Sequence, residues 1–74
     1  MPKLPTLSGR ECVTAFNRAG WTFARQRGSH MILIRPGSLA TLSIPDHKAL
    51  AKGTLRALVR AADLTLEEFL ALLD

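Results

Sequence analysis

This 74-residue chain is short of the residues that staple a small protein or arm it with a metal: it has one cysteine, two histidines and six acidic side chains. Cys12 cannot form an internal disulfide, which points to a reducing, cytoplasmic setting, and its helical spacing from Phe16 marks it as a small core residue rather than a nucleophile. Two histidines, one cysteine and scattered acids show no spacing typical of a ligand set, so neither a metal nor another cofactor is expected. There is no phosphate-binding glycine loop, no internal repeat, no linker and no low-complexity segment. No apolar run is long enough to cross a bilayer, and Met1-Pro2-Lys3-Leu4-Pro5-Thr6 has no apolar signal region, so a soluble, unprocessed chain without a membrane partner is expected.

Acidic charge is scarcest where basic charge is concentrated. Residues 1–62 carry all ten Lys and Arg against only Glu11 and Asp46, a balance of +8, while Asp63, Glu67, Glu68 and Asp74 give residues 63–74 a balance of −4. A polyanion is the natural partner of the first part, with a merely solvated basic surface as the alternative. Residues 1–74 make one small domain with a modest core, even at 47% apolar residues, and a partner or oligomer would help to stabilise it.

Local signals then set the order of elements. Ser8-Gly9-Arg10-Glu11 has the form of a capping box, so a helix begins there; Cys12, Phe16 and Ala19 give it an apolar face, and Gly20 ends it in the left-handed conformation. Trp21 to Gln26 alternates as a half-buried strand, with Trp21 and Phe23 on one face, and Arg27-Gly28 turns the chain into a second strand. In that strand His30, Ile32 and Ile34 alternate with Met31 and Leu33; both parities are apolar, so the face of His30 stays open. Pro36-Gly37 suits a type II turn into an antiparallel strand, Leu39 to Ile44, which Pro45 stops. Leu55, Leu58, Val59 and Ala62 lie on one face of an amphipathic helix, and Lys52, Arg56 and Arg60, four apart, form a basic stripe with Lys48 just ahead of it. Thr65-Leu66-Glu67-Glu68 is a second capping box, with Leu64 and Phe69 in the positions of a hydrophobic staple, and starts a short last helix. The economical way to bury these stripes is an α+β sandwich of two layers, with the helices on one face of the sheet and a shared core of Phe16, Trp21, Leu42, Ile44, Leu55, Leu58 and Val59.

Gly28-Ser29-His30 is the stretch with chemical promise: a histidine at a strand entrance, beside a glycine that lets a backbone come close, is placed to meet a substrate phosphate. On its own the signal is weak, because a histidine near apolar residues is more often a hydrogen-bonded structural group. Asp46-His47 is a pair without the makings of a site.

Taken together, Gly28-Ser29-His30 before a strand, Ile44-Pro45-Asp46-His47, Lys52-Gly53-Thr54-Leu55 within the helix, and Leu64-Thr65-Leu66-Glu67-Glu68-Phe69 resemble a HicA-type toxin over nearly the whole chain. The resemblance implies a double-stranded-RNA-binding-like α-β-β-β-α fold, here with a short extra C-terminal helix. It also implies the toxin of a type II toxin–antitoxin system, a ribosome-independent endoribonuclease that cleaves mRNA, and a HicB-type antitoxin partner. The family's catalytic histidine maps onto His30. The glycine that the family places before Leu64 is Asp63 here.

Such chemistry needs no metal, because RNA brings its own nucleophile in the 2′-hydroxyl and imidazole can move the protons near neutral pH. His30 is then the general base to the 2′-hydroxyl or the acid to the leaving 5′-oxygen. His47 is the candidate complementary group if its loop folds over His30, and otherwise an ordinary loop histidine. Lys48, Lys52, Arg56 and Arg60 would hold phosphates without reading bases. Two other functions fit the same residues: a non-catalytic RNA-binding module, and an interaction subunit that docks its basic face on an acidic protein.

Overall fold

The first capping box forms as its spacing predicts. In the computed structural model, which describes residues 3–73, the Ser8 hydroxyl accepts from the Glu11 amide at 3.1 Å and Glu11 Oε1 accepts from the Ser8 amide at 2.8 Å. Met1, Pro2 and Asp74, part of the 1–74 span expected to form one domain, lie outside the described residues. From this cap run α1 (Gly9–Arg18), β1 (Thr22–Arg27), β2 (His30–Ile34), β3 (Leu42–Pro45), α2 (Lys52–Ala61) and α3 (Leu66–Ala71). The strands form one antiparallel sheet in the order β1-β2-β3.

Both long helices stop in the same way. The amides of Gly20 and Trp21 reach back to the carbonyls of Asn17 and Phe16, and those of Asp63 and Leu64 reach back to Arg60 and Val59. This closure satisfies carbonyls that the helix leaves free and puts one residue at positive φ: Gly20 at 94° after α1, Asp63 at 62° after α2. The second capping box also forms, with Thr65 and Glu68 exchanging bonds of 2.8 and 3.0 Å. The Arg18 guanidinium donates to the Leu72 carbonyl and ties the end of α1 to the end of α3.

One apolar cluster joins the two layers. Phe16 and Cys12 of α1, Leu55, Leu58 and Val59 of α2, Phe69 of α3, and the inward residues Met31, Leu33, Leu42 and Ile44 of the sheet are all buried in it with Trp21. All seven expected core residues belong to this cluster, and burying each of the larger ones stabilises the fold by roughly 1.5–3 kcal/mol. Phe16 and Phe69 pack ring on ring, centroids 5.1 Å apart. Among the described residues no polar or charged residue is buried.

The structure departs from the expected elements in four places. β1 is exposed along its whole length, not half-buried, and Phe23 is 52% exposed while Trp21, just before the strand, is fully buried. The strand lies at the edge of the sheet, and beyond Phe23 a bulge adds to this: the pairs Phe23↔Leu33 and Arg25↔Ile32 leave Ala24 as an extra residue, which breaks the alternation. Arg27 ends β1 and does not form the turn; it pairs with His30 across the two-residue loop Gly28-Ser29, where Gly28 at φ 59° supplies the positive angle that a tight hairpin needs. β3 starts at Leu42, three residues later than expected. The turn closes by Ser38 N to Arg35 O at 3.1 Å and Ala40 N bonds the Ser38 hydroxyl at 3.2 Å, so these donors are met inside the loop and Leu39 is left wholly exposed. Finally, Leu4, Leu7 and Leu50 are core residues outside any helix or strand, with Leu50 N bonded to Leu7 O at 2.8 Å.

Candidate active site and nucleic-acid interface

His30 opens β2 on the side of the sheet away from the helices. Met31 and Leu33 point into the core, so His30, Ile32 and Ile34 point out, and the face left open from sequence is thereby decided. Cross-strand partners share a face, which puts Arg27 and Pro45 on either side of His30, Arg25 and Ser43 beside Ile32, and Thr22 beside Ile34. The three strands carry no acidic residue. Their outward face thus combines a histidine, two arginines and a small apolar floor, with Ile34 43% exposed.

The His30 side chain is exposed and makes no hydrogen bond or ion pair among the described residues. A structural histidine would be buried and bonded, as the alternative reading required. An imidazole in the open keeps both nitrogens available to a ligand. Arg25 and Arg27 were not among the sequence candidates. The signal existed for Arg27, since two residues of loop between Arg27 and His30 make those two a cross-strand pair; for Arg25 the position depends on register from that same turn.

His47 and Lys48 lie in the loop after β3, which is drawn toward α1. Gly9 N donates to His47 O at 2.9 Å, and the Arg10 guanidinium binds the Asp46 carboxylate at 3.2 and 3.4 Å. The pairing raises the Arg10 pKa, chiefly through the hydrogen bond to Asp46. His47, Lys48, Ser8, Arg10 and Asp46 line a shallow groove of which His30 is not part. The loop still meets the β1–β2 turn at the backbone, Asp46 N donating to Ser29 O, just before His30, at 2.7 Å.

The basic stripe belongs to the helical layer. Leu55, Leu58 and Val59 turn α2 toward the sheet, leaving Arg56 and Arg60 on its exposed flank, where they border a groove floored by Val59, Leu64 and Leu66. Lys52 is partly committed, its ammonium donating to the Leu4 carbonyl at 2.7 Å. His30 and the α2 stripe therefore occupy different layers of the molecule.

Cys12 is fully buried, and desolvation pushes its thiol up to about 11, so it has no nucleophilic thiolate near neutral pH. Among the described residues no three His, Cys, Asp or Glu side chains are grouped to hold a metal ion, and no helix is long and apolar enough to cross a membrane.

Compared with protein families, residues 9–64 match the model described as HicA toxin of bacterial toxin–antitoxin. The match starts at the first residue of α1 and ends one residue past the left-handed Asp63, so it takes in the whole α-β-β-β-α unit and leaves out α3. No curated protein matches the chain.

Proposed function

The chain belongs to the HicA toxin family of bacterial toxin–antitoxin systems, and on that premise we propose that it is a metal-independent endoribonuclease that cleaves mRNA by means of His30. The observation that carries this reading is the exposed imidazole without a protein partner on an acid-free, arginine-bearing sheet face. Attack of a ribose 2′-oxygen on the adjacent phosphorus forms a 2′,3′-cyclic phosphate and expels the 5′-oxygen of the next nucleotide. His30 removes the proton from the 2′-hydroxyl or delivers one to the leaving oxygen, a contribution of about 10²–10⁴ in rate.

Lys48, Arg56 and Arg60, with the remaining donors of Lys52, would add affinity for the RNA backbone from the helical side. His47, turned toward α1, would act as the second proton carrier only if RNA or a loop movement brought it to the sheet face. As a toxin the chain has an antitoxin partner. We take that partner to be of the HicB type, covering His30 and drawn in by the concentration of positive charge.

The test is cleavage of a single-stranded RNA by purified wild-type protein and by His30→Ala. The variant should keep its fold and most RNA affinity while losing cleavage and growth inhibition. Cleavage by His30→Ala near the wild-type rate, with wild-type contamination excluded, ends the catalytic assignment. Binding without cleavage by the wild type selects a plain RNA-binding module, and no RNA binding even at low salt selects a protein-interaction subunit.

A further inference from the structure

The bulge at Ala24 lets one short strand serve two surfaces. Trp21 and Phe23 take the inward parity and Trp21 enters the core, yet Arg25 and Arg27, of the same odd parity in sequence, emerge on the outward face beside His30. Arg27 stands directly opposite His30 across the β1–β2 ladder and Arg25 is its diagonal neighbour. Such pairs have β-carbons about 5 Å and about 7–8 Å apart respectively. Both arginines are exposed, and no hydrogen bond or ion pair engages either among the described residues. No carboxylate on any strand competes for them.

We propose that Arg27 and Arg25 form, with His30, a phosphate clamp across the β1–β2 hairpin: Arg27 binds the non-bridging oxygens of the phosphate that is cut, and Arg25 holds a neighbouring phosphate of the same strand. The proposal rests on the reading of His30 as the catalytic group. In the reaction the 2′-O–P bond forms as the P–O5′ bond breaks, and the proton leaving the 2′-hydroxyl is balanced by the one gained by the 5′-oxygen. Negative charge meanwhile gathers on the non-bridging oxygens of the five-coordinate phosphorus. A planar, permanently charged guanidinium fixed one cross-strand step from the imidazole is suited to that charge. Arg25, one pleat further along, meets the chain where no bond changes, so its contribution is to binding.

The geometry favours RNA over an acidic protein surface as the occupant, because the two arginines share a row with the proton-transfer group. The basic stripe of α2, in the other layer, has no such neighbour.

The test uses the full chain and a single-stranded RNA substrate, with Arg27→Gln, Arg27→Lys, Arg25→Gln and His30→Ala compared for kcat and KM. Binding is read separately on an oligonucleotide of the same sequence whose 2′-hydroxyls are replaced by hydrogen. Arg27→Gln should lower kcat about 10²–10³-fold, the effect of removing one transition-state donor, and Arg27→Lys should recover part of the loss. Arg25→Gln should raise KM with kcat nearly unchanged. Each Gln variant should reduce the slope of log affinity against log salt by about 0.7, the share of one phosphate contact on a single strand. Thermal midpoints should stay at the wild-type value, since both side chains are exposed. If the Gln variants cut RNA with wild-type kcat and KM while His30→Ala is inactive, the clamp is wrong and the nuclease reading stands. Loss of antitoxin binding with cleavage intact would likewise overturn it, by assigning the arginines to the protein partner. A wild type that cuts no RNA removes both readings.

Discussion

Gly9 and Pro45 meet backbone to backbone: a β-carbon on Gly9 would lie 2.0 Å from the Pro45 carbonyl oxygen and 3.1 Å from Met31 Cε. The first residue of α1 is thus pressed onto the end of β3, opposite His30 in the sheet, and the contact is locked by Gly9 N donating to His47 O at 2.9 Å. The helix start, the loop carrying His47 and the strand pair carrying His30 are held as one piece. Gly9→Ala has to push two backbones apart and should cost about 1–3 kcal/mol, as overpacking does. Gly53, in α2 with nothing within 4 Å of its would-be β-carbon, is the control: Gly53→Ala should stabilise by about 0.5 kcal/mol. Urea titrations of the two variants check the opposite signs.

Asp63 holds the left-handed position that glycine fills after α1, and it puts a negative charge at the C-terminal end of α2. Both features work against it. Asp63→Gly should raise stability by about 0.5–1 kcal/mol, net of the greater freedom glycine adds to the unfolded chain. Asp63→Val, which tolerates positive φ poorly, should lower stability by about 1 kcal/mol or more. Equal midpoints for all three proteins in thermal unfolding would contradict this account.

Burial raises the Cys12 thiol to about 11 from its ordinary value of 9.0. A thiol with a raised folded-state pKa adds stability that is fully present below the unfolded value and is lost as pH rises through the folded one. Between pH 9.0 and about 11 the unfolded state gives up this proton first, and the wild type should lose up to about 2–3 kcal/mol from this group. Cys12→Ala lacks the titration. Its stability deficit at pH 7 should therefore shrink toward alkaline pH, as read from denaturant midpoints at a series of pH values.

Lys52 and Arg56 share a stripe but differ in their duties. Lys52 is bonded to the Leu4 carbonyl and pins the N-terminal segment to α2, whereas Arg56 stands on the exposed flank. Lys52→Met should cost about 1 kcal/mol of stability, the worth of a hydrogen bond, and Arg56→Met should change it by no more than about 0.5 kcal/mol. If both contact RNA, each should flatten the salt dependence of binding equally. Stability and binding measured on the same two proteins separate the structural role from the electrostatic one.

Local chemistry was legible in the sequence where the residues that make a feature are neighbours. Both capping boxes, the left-handed closure at Gly20, and the amphipathic faces of α1 and α2 depend on contacts within one turn or on a short period, so composition and spacing determine them, whereas the like closure at Asp63, where no glycine marks it, came from the structure. Of the seven core residues, Phe16, Leu55, Leu58 and Val59 followed from those stripes, and Trp21, Leu42 and Ile44 from alternation along the expected strands. The type II turn at Pro36-Gly37 was equally local, with Gly37 at φ 83°.

What the sequence left open was decided by pairing between distant segments. His30 sits in a strand apolar on both parities, and only the burial of Met31 and Leu33 against helices some twenty residues away on either side turns it outward. Alternation within β1 predicted a buried face, but a bulge is a mismatch between two strands and has no period of its own; it separated Phe23 from Arg25 and carried the arginines to His30. Leu4, Leu7 and Leu50 lie in segments without periodicity, so their place in the core comes from the shape of the cavity they fill. Sequence alone determined the helices, the Pro36-Gly37 turn and His30 as a candidate group, because those are read from adjacent residues. Which groups share a face is a property of register, and register is settled only when hydrogen-bond ladders and the core are formed together.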